Sequence, residues 1–186
     1  MKIYTGHGDA GRTLTLNGSQ PLKNSPLIQL NGSLDEVSAS AGYLITLIGS
    51  RNNRSEEQED LVWIQNVLYH IGIEVSSAFS RLYIDSSCVA ALESRIDRLD
   101  GQNDPLTEFI LYSGTMPAAY AQVTRSVTRR CERDFVTFLS EADQKIPQSY
   151  LFINRLSDYF FVLARYLNKC SGIKEATVSK WKQIDG

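Results

Sequence analysis

Thr124-Arg125-Ser126-Val127-Thr128-Arg129-Arg130-Cys131-Glu132-Arg133-Asp134-Phe135-Val136-Thr137-Phe138-Leu139 reads as one amphipathic helix. At 100° per residue, Arg125, Arg129 and Arg133 fall at i, i+4 and i+8 in a narrow stripe, with Val123, Val127 and Phe135 roughly opposite. One face packs and the other is cationic. Three stacked guanidinium forks repel one another unless an anion or carboxylates sit among them, and the planar fork matches phosphate oxygens well. Two readings stay open at this point: a solvated surface face, or a site with a counter-charge.

Outward from this helix the same periodicity recurs. Leu27, Leu30, Leu34, Val37, Ala41, Leu44 and Leu47 make a helix from about Pro26 to Gly49-Ser50, with Asp35 and Glu36 inside it. Arg51 to Asp60 is polar, and Ser55-Glu56-Glu57-Gln58 can open the next helix, which Leu61, Ile64, Val67, Leu68, Ile71, Ile73, Val75 and Phe79 carry to about Arg81. A shorter one spans Ser87 to Asp100, with Val89, Leu92, Ile96 and Leu99 on one side. Phe109 to Thr115 is a short apolar segment turning into Met116-Pro117; the arginine helix then runs to about Ser140 and a last helix from about Gln148 to Asn168. Residues 1–24 are a glycine-rich loop with Gly6, Gly8, Gly11 and Gly18, holding at most a short strand. Five helices with short connections predict an all-α five-helix bundle with a glycine-rich N-terminal loop. In a bundle, the arginines can also pair with a carboxylate on another helix, such as Asp35, across the core.

The 186 residues suit one domain, 1–186, with a sizeable core and no linker composition. A formal charge of −2 gives no global basic field, so nucleic acid is not the expected partner and any bound anion is small. Cys88, Cys131 and Cys170 are odd in number and widely spaced, which fits thiols in a reducing compartment and neither a disulfide framework nor a zinc site. No apolar run approaches a membrane span, and MKIYTGHGDAG lacks the apolar core of a signal peptide; a cytoplasmic location is expected.

YTGHGDAGRT, residues 4–13, offers backbone N–H groups and the Thr5 and Thr13 hydroxyls to phosphate, without the spacing of a Walker loop; Lys23 follows as a phosphate donor. In Asn154-Arg155-Leu156-Ser157-Asp158, an asparagine one turn into a helix points to a specific hydrogen bond, and Arg155 and Asp158 stand at i, i+3 for a mutual pair. The two histidines, His7 and His70, form no catalytic arrangement, and His70 reads as a satisfied imidazole in an apolar helix. Asp35 and Glu36 are adjacent and point apart, so acid-base chemistry is not indicated.

In this order the segments resemble the PduO-type ATP:cob(I)alamin adenosyltransferases. Ile3-Tyr4-Thr5 with Gly8-Asp9 and Gly11 is similar to that family's IYTxxGDxG, Gly32-Ser33-Leu34-Asp35-Glu36 to its G-T-x-D-E-L, Arg125 to Arg133 to its RxxxRRxER, and residues 154–158 are its NRLSD. The resemblance spans nearly the whole chain. It implies a homotrimer binding ATP at the subunit interface, between the N-terminal loop of one subunit and the arginine helix of the next. It assigns ATP contacts to Thr5, Gly6, His7, Gly8, Thr13, Leu14, Lys23, Arg129, Arg130, Glu132, Arg133 and Asn154. Phe109 would lie against the corrin and keep cobalt free of its lower ligand, and Arg125 would pair with Asp35 across the subunit contact. The catalytic set implied is Arg129, Phe109, Asp35 and Arg125.

The reaction implied is transfer of the 5′-deoxyadenosyl group of ATP to the cobalt of cob(I)alamin, giving adenosylcobalamin and triphosphate, with Mg²⁺ on the nucleotide and a reductase or an adenosylcobalamin-dependent enzyme as partner. Gly6, His7 and Ala10 replace residues of the usual T-[KR]-T-G-D-K-G, removing two cations, and Tyr112-Ser113-Gly114 stands for the usual P-G-G. Those losses motivate a second expectation: a paralogue serving as a corrinoid or nucleotide binding and delivery module.

Overall fold

The computed structural model describes residues 3–49 and 55–178. It is a bundle of five helices: α1 Pro26–Ile48, α2 Glu56–Ser76, α3 Ser86–Asp100, α4 Met116–Glu141 and α5 Gln148–Cys170. Ser50 and the polar stretch Arg51 to Arg54 lie outside the described residues. The starts follow from local chemistry. Ser55 and Gln58 form a reciprocal capping box on α2, the Asp85 carboxylate accepts from the N–H groups of Ser87 and Cys88 on α3, and Thr115 accepts from Ala118 N–H on α4, where Pro117 occupies a first-turn position.

α1 packs on α2 and α4, α4 on α5, and α5 on α3. Leu30, Leu34, Leu44, Leu61, Ile64, Ile71, Leu92, Phe135, Phe152, Leu156 and Phe160 form a continuous core. Each such side chain contributes about 1.5–3 kcal/mol by leaving water. α3 is also held by charge: Arg95 Nε and Arg98 Nη2 reach the two oxygens of buried Asp60 on α2 at 2.8 and 2.5 Å. Arg95 lies 4.0 Å over the Trp63 ring.

Two expectations are corrected here. α2 ends at Ser76 rather than near Arg81, because Ala78 and Phe79 take positive φ of 50° and 59°. Phe79 N–H bonds the Glu74 carbonyl and Ala78 N–H the Val75 carbonyl, a Schellman closure. The packed side of α4 keeps Phe135 and, partly buried, Val127 as expected, but Val123 is 51% exposed, and Ala121, Thr124, Thr128, Cys131 and Phe138 complete the buried face. Threonine suits that side because Thr124 and Thr128 hydroxyls donate to the carbonyls of Tyr120 and Thr124 at 3.0 and 2.8 Å, leaving only methyl groups to pack.

The N-terminal loop folds back as a turn. Thr13 N–H bonds the Pro21 carbonyl and Lys23 N–H the Gly11 carbonyl, while the buried Thr15 hydroxyl contacts Asn17 and Ser19 across the tip. The short strand allowed for residues 1–24 is a single bridge, Arg12 to Leu22. This fold-back brings Lys23 to the glycines.

Candidate functional site

The residues singled out by sequence gather in three places. At the first, the Lys23 side chain lies across Gly8, where a Cβ would meet its Nζ at 2.7 Å; a residue without a side chain lets the ammonium approach the loop backbone. Thr13 and Lys23 line a recess of about 610 Å³ with Gln29, Ser33 and Glu36 of α1 and Arg130 of α4. Arg130 pairs with Glu36, and Ser33 donates to Asp134 of α4 beneath it. Thr5, Gly6, His7 and Leu14 are exposed on the loop outside this lining, with Thr5 Oγ1 accepting from His7 N–H at 3.4 Å. Arg12 donates to the Gln20 carbonyl at 2.8 Å, so it braces the turn.

The second place lies on α4, with Asn154 of α5 reaching its edge. Arg129, Glu132, Arg133 and Val136 line a recess of about 290 Å³ that shares no residue with the first. Asn154 Nδ2 donates to Glu132 Oε1 at 2.7 Å, the specific bond its helical position predicts. Its Oδ1 accepts from Arg155 at 2.6 Å, and Arg155 in turn pairs with Glu93 of α3 at 3.0 Å, in place of the expected Asp158. Two neighbours join the site that the motifs did not assign to it, Tyr150 and Asp158. Burial and then the Glu132 carboxylate push the Tyr150 hydroxyl above its ordinary pKa. Loss of hydration lifts Asp158, against the opposing charges of Arg155, Arg129 and Arg125. Asp158 was findable, since it stands at i+4 from Asn154 and so shares its helix face.

The arginine stripe is therefore divided. Arg130 turns to α1, whereas Arg129 and Arg133 stay on the α5 side, with Arg133 Nη1 donating to the Arg129 carbonyl at 3.0 Å.

The third place is the segment before α4. Arg125 donates to Gln122 Oε1 at 2.9 Å and stacks over the rings of Tyr112 and Phe161 at 4.7 and 6.0 Å. Asp35 instead lines a groove with Leu68, Tyr69 and Gly72 of α2, so within one chain the two are not joined. Gly114 has φ 117°, and a Cβ there would lie 2.1 Å from Asn168 Oδ1, so only glycine fits. Asn168 bonds the Ser113 carbonyl and the Thr115 N–H on either side of it. Phe109 is 86% exposed beside exposed Leu111, Tyr112 and Met116.

His70 Nδ1 contacts the Asn66 carbonyl at 2.8 Å and its ring lies 5.2 Å from that of Tyr83, far in role from any base. Among the described residues no three His, Cys, Asp or Glu side chains converge as a metal cage. No helix among them is long and apolar enough to cross a membrane. The arrangement offers two cationic recesses and one exposed apolar ledge, the furniture for polyphosphate and for a large flat apolar ligand.

Residues 3–167 match the family described as cobalamin adenosyltransferase. A cobalamin adenosyltransferase of Cupriavidus metallidurans is 38% identical over 172 residues, 92% of this chain and 90% of that protein. A corrinoid adenosyltransferase of Bacillus subtilis is 32% identical over 93% of this chain and 90% of its own. Among solved structures, a phenylalanine-to-alanine variant of the PduO-type ATP:corrinoid adenosyltransferase of Lactobacillus reuteri, complexed with cobalamin and ATP, superposes with a TM-score of 0.87 at 31% identity, covering 96% of this chain and all of that one. An arginine-to-lysine variant complexed with ATP gives 0.85 at 32% identity over 95% of this chain and all of that one. With both cationic recesses inside a match that reaches from residue 3 to residue 167, this chain belongs to the cobalamin adenosyltransferase family.

Proposed function

We propose that this protein transfers the 5′-deoxyadenosyl group of ATP to the cobalt of cob(I)alamin. Co(I) attacks C5′ with its lone pair, the C5′–O bond breaks, and its electron pair leaves on triphosphate; cobalt ends as Co(III) and no proton moves. Such a step needs positioning and charge stabilisation rather than a base, which suits a site without a catalytic histidine. The observation that carries the reading is the separation of the two cationic recesses. One chain offers Thr13, Lys23 and Arg130 in one place and Arg129, Glu132, Arg133 and Asn154 in another.

A triphosphate is enclosed when the loop recess of one copy meets the α4 recess of the next, as in a homotrimer with ATP at each subunit interface. Thr5, Gly6, His7, Gly8 and Leu14 would close the loop side, and Asp35 would meet Arg125 of a neighbouring copy. Phe109 would face the corrin and exclude the lower cobalt ligand. Mg²⁺ fits as an ion carried by the nucleotide, with hard oxygen ligands from the phosphates, since among the described residues no three His, Cys, Asp or Glu side chains converge to hold a metal. A separate reductase would supply cob(I)alamin, and an adenosylcobalamin-dependent enzyme would receive the product.

The test is turnover. Purified protein with ATP and chemically reduced cobalamin should yield adenosylcobalamin and inorganic triphosphate in equal amounts. No product from freshly reduced cobalamin would overturn the reading. The loop favours a second outcome, because Gly6, His7 and Ala10 bring no lysine or arginine to the phosphates. Calorimetry showing corrinoid binding with no ATP binding would identify a binding and delivery module instead.

A further inference from the structure

Arg165 is buried in α5 to 6% exposure, and no motif of the adenosyl-transfer reading includes it. Burying a guanidinium costs several kcal/mol unless every donor is used, and an apolar side chain would serve packing as well. Its partners come from three segments. Nε reaches both Glu175 oxygens at 3.2 and 3.0 Å, Nη2 donates to the Asp104 carbonyl at 2.7 Å, and Nη1 lies 3.9 Å from Asp100 at the end of α3. One turn further on, Lys169 pairs with the Asp104 carboxylate at 2.7 Å.

Both tethered segments lead straight to Phe109. Glu175 precedes a single antiparallel bridge, Ile110 to Thr177, flanked by two bonds in which Leu111 N–H donates to the Ala176 carbonyl at 2.7 Å and Val178 N–H to the Phe109 carbonyl at 2.8 Å. Asp104 opens the irregular segment, Pro105 to Glu108, that runs into the other side of that bridge. Phe109 is 86% exposed, so its own side chain cannot hold its place. A recess of about 410 Å³ adjoins the bridge, lined in part by Leu106, Ile110 and Thr177 and by Arg165 and Glu175 themselves. Phe109 is therefore held through its backbone: Asn168 grips Ser113 and Thr115 on the α4 side, and the approaches from Asp104 and Glu175 both reach the Arg165 guanidinium.

We infer that Arg165, through Glu175 and the Asp104 carbonyl, is the positioning residue that sets Phe109 against the corrin. The inference rests on the corrin-facing role of Phe109 proposed above. A planar fork can serve three acceptors in fixed directions, and the point charge of lysine cannot.

The test uses the protein with Glu175→Gln, which keeps one side-chain oxygen for Nε, and with Arg165→Lys, each first checked for an unchanged helical circular-dichroism signal and a retained cooperative melt. Both variants should raise KM for cob(I)alamin by about tenfold while KM for ATP stays within about twofold, as expected when a positioned contact is displaced without touching the nucleotide site. Hydrogen exchange at Leu111 and Val178 should accelerate while α4 amides stay unchanged. An unchanged corrin KM in Glu175→Gln, or corrin and ATP values rising together, overturns the inference. Absence of turnover in the unsubstituted protein overturns the adenosyl-transfer reading instead, and unchanged exchange at Leu111 and Val178 in the variants then overturns the clamp on its own.

Discussion

Cys131 shows how one residue of the arginine helix serves the core. It sits between Arg130 and Glu132, yet its thiol is buried, and burial followed by the Asp134 charge pushes its pKa from an ordinary 9.0 up to about 12. The folded state therefore keeps the proton where the unfolded chain loses it. Stability from this group is whole below pH 9 and falls as pH rises toward 12. Between pH 8 and 10.5 that loss is about 2 kcal/mol. Urea titrations at both pH values should show the gap between the unsubstituted protein and Cys131→Ala narrowing at the higher pH; a constant gap would contradict it. Residue by residue, the sequence was readable where chemistry conflicted with position. Asn154 is a poor helix former, so a specific partner was expected and Glu132 is that partner. Arg165 gave no such signal, because a buried arginine and a solvated one look alike until Glu175, ten residues on, is seen to fold back over it.

The helices themselves were legible because apolar spacing at three and four carries through α1, α3, α4 and α5 with ends within a few residues of those observed. α2 was overextended because Phe79 falls in phase with Val75, and periodicity cannot see a sign change in φ. Its ring is not wasted: it stands 6.2 Å from Phe135 and 6.0 Å from Phe138 of α4, so the turn out of α2 is stapled to the next layer. Ala78, by contrast, has an exposed side chain and holds φ 50°. A Cβ in that region costs about 1–2 kcal/mol, and glycine returns part of the gain as unfolded-state entropy. Ala78→Gly should thus stabilise the protein by about 0.5–1 kcal/mol, read as a higher urea midpoint with an unchanged slope. A lower midpoint would mean that the Schellman closure is not strained.

For the whole molecule, the sequence supplied the pieces and the single chain leaves them apart. Arg129 and Arg130 are neighbours in sequence, but one helical step sends Arg130 to Glu36 and the loop recess and keeps Arg129 with Glu132 and Arg133. Ile3 and Leu14 of the loop remain 99% and 71% exposed, as surfaces that another copy can cover. If the loop of one copy and α4 of the next build each site, Lys23→Ala and Arg129→Ala damage opposite halves. Each alone should lower kcat/KM by about a hundredfold, the usual loss for one donor to a developing phosphate charge. Co-expressed in equal amounts, they should do better together than apart. In a closed ring assembled at random, a site is intact when the loop comes from the Arg129→Ala chain and the helix from the Lys23→Ala chain, which gives about a quarter of the sites. Activity near one quarter of the unsubstituted protein would place the site between copies. Activity no higher than the single variants would place both halves in one chain, since every chain in the mixture then carries one lesion in its own site.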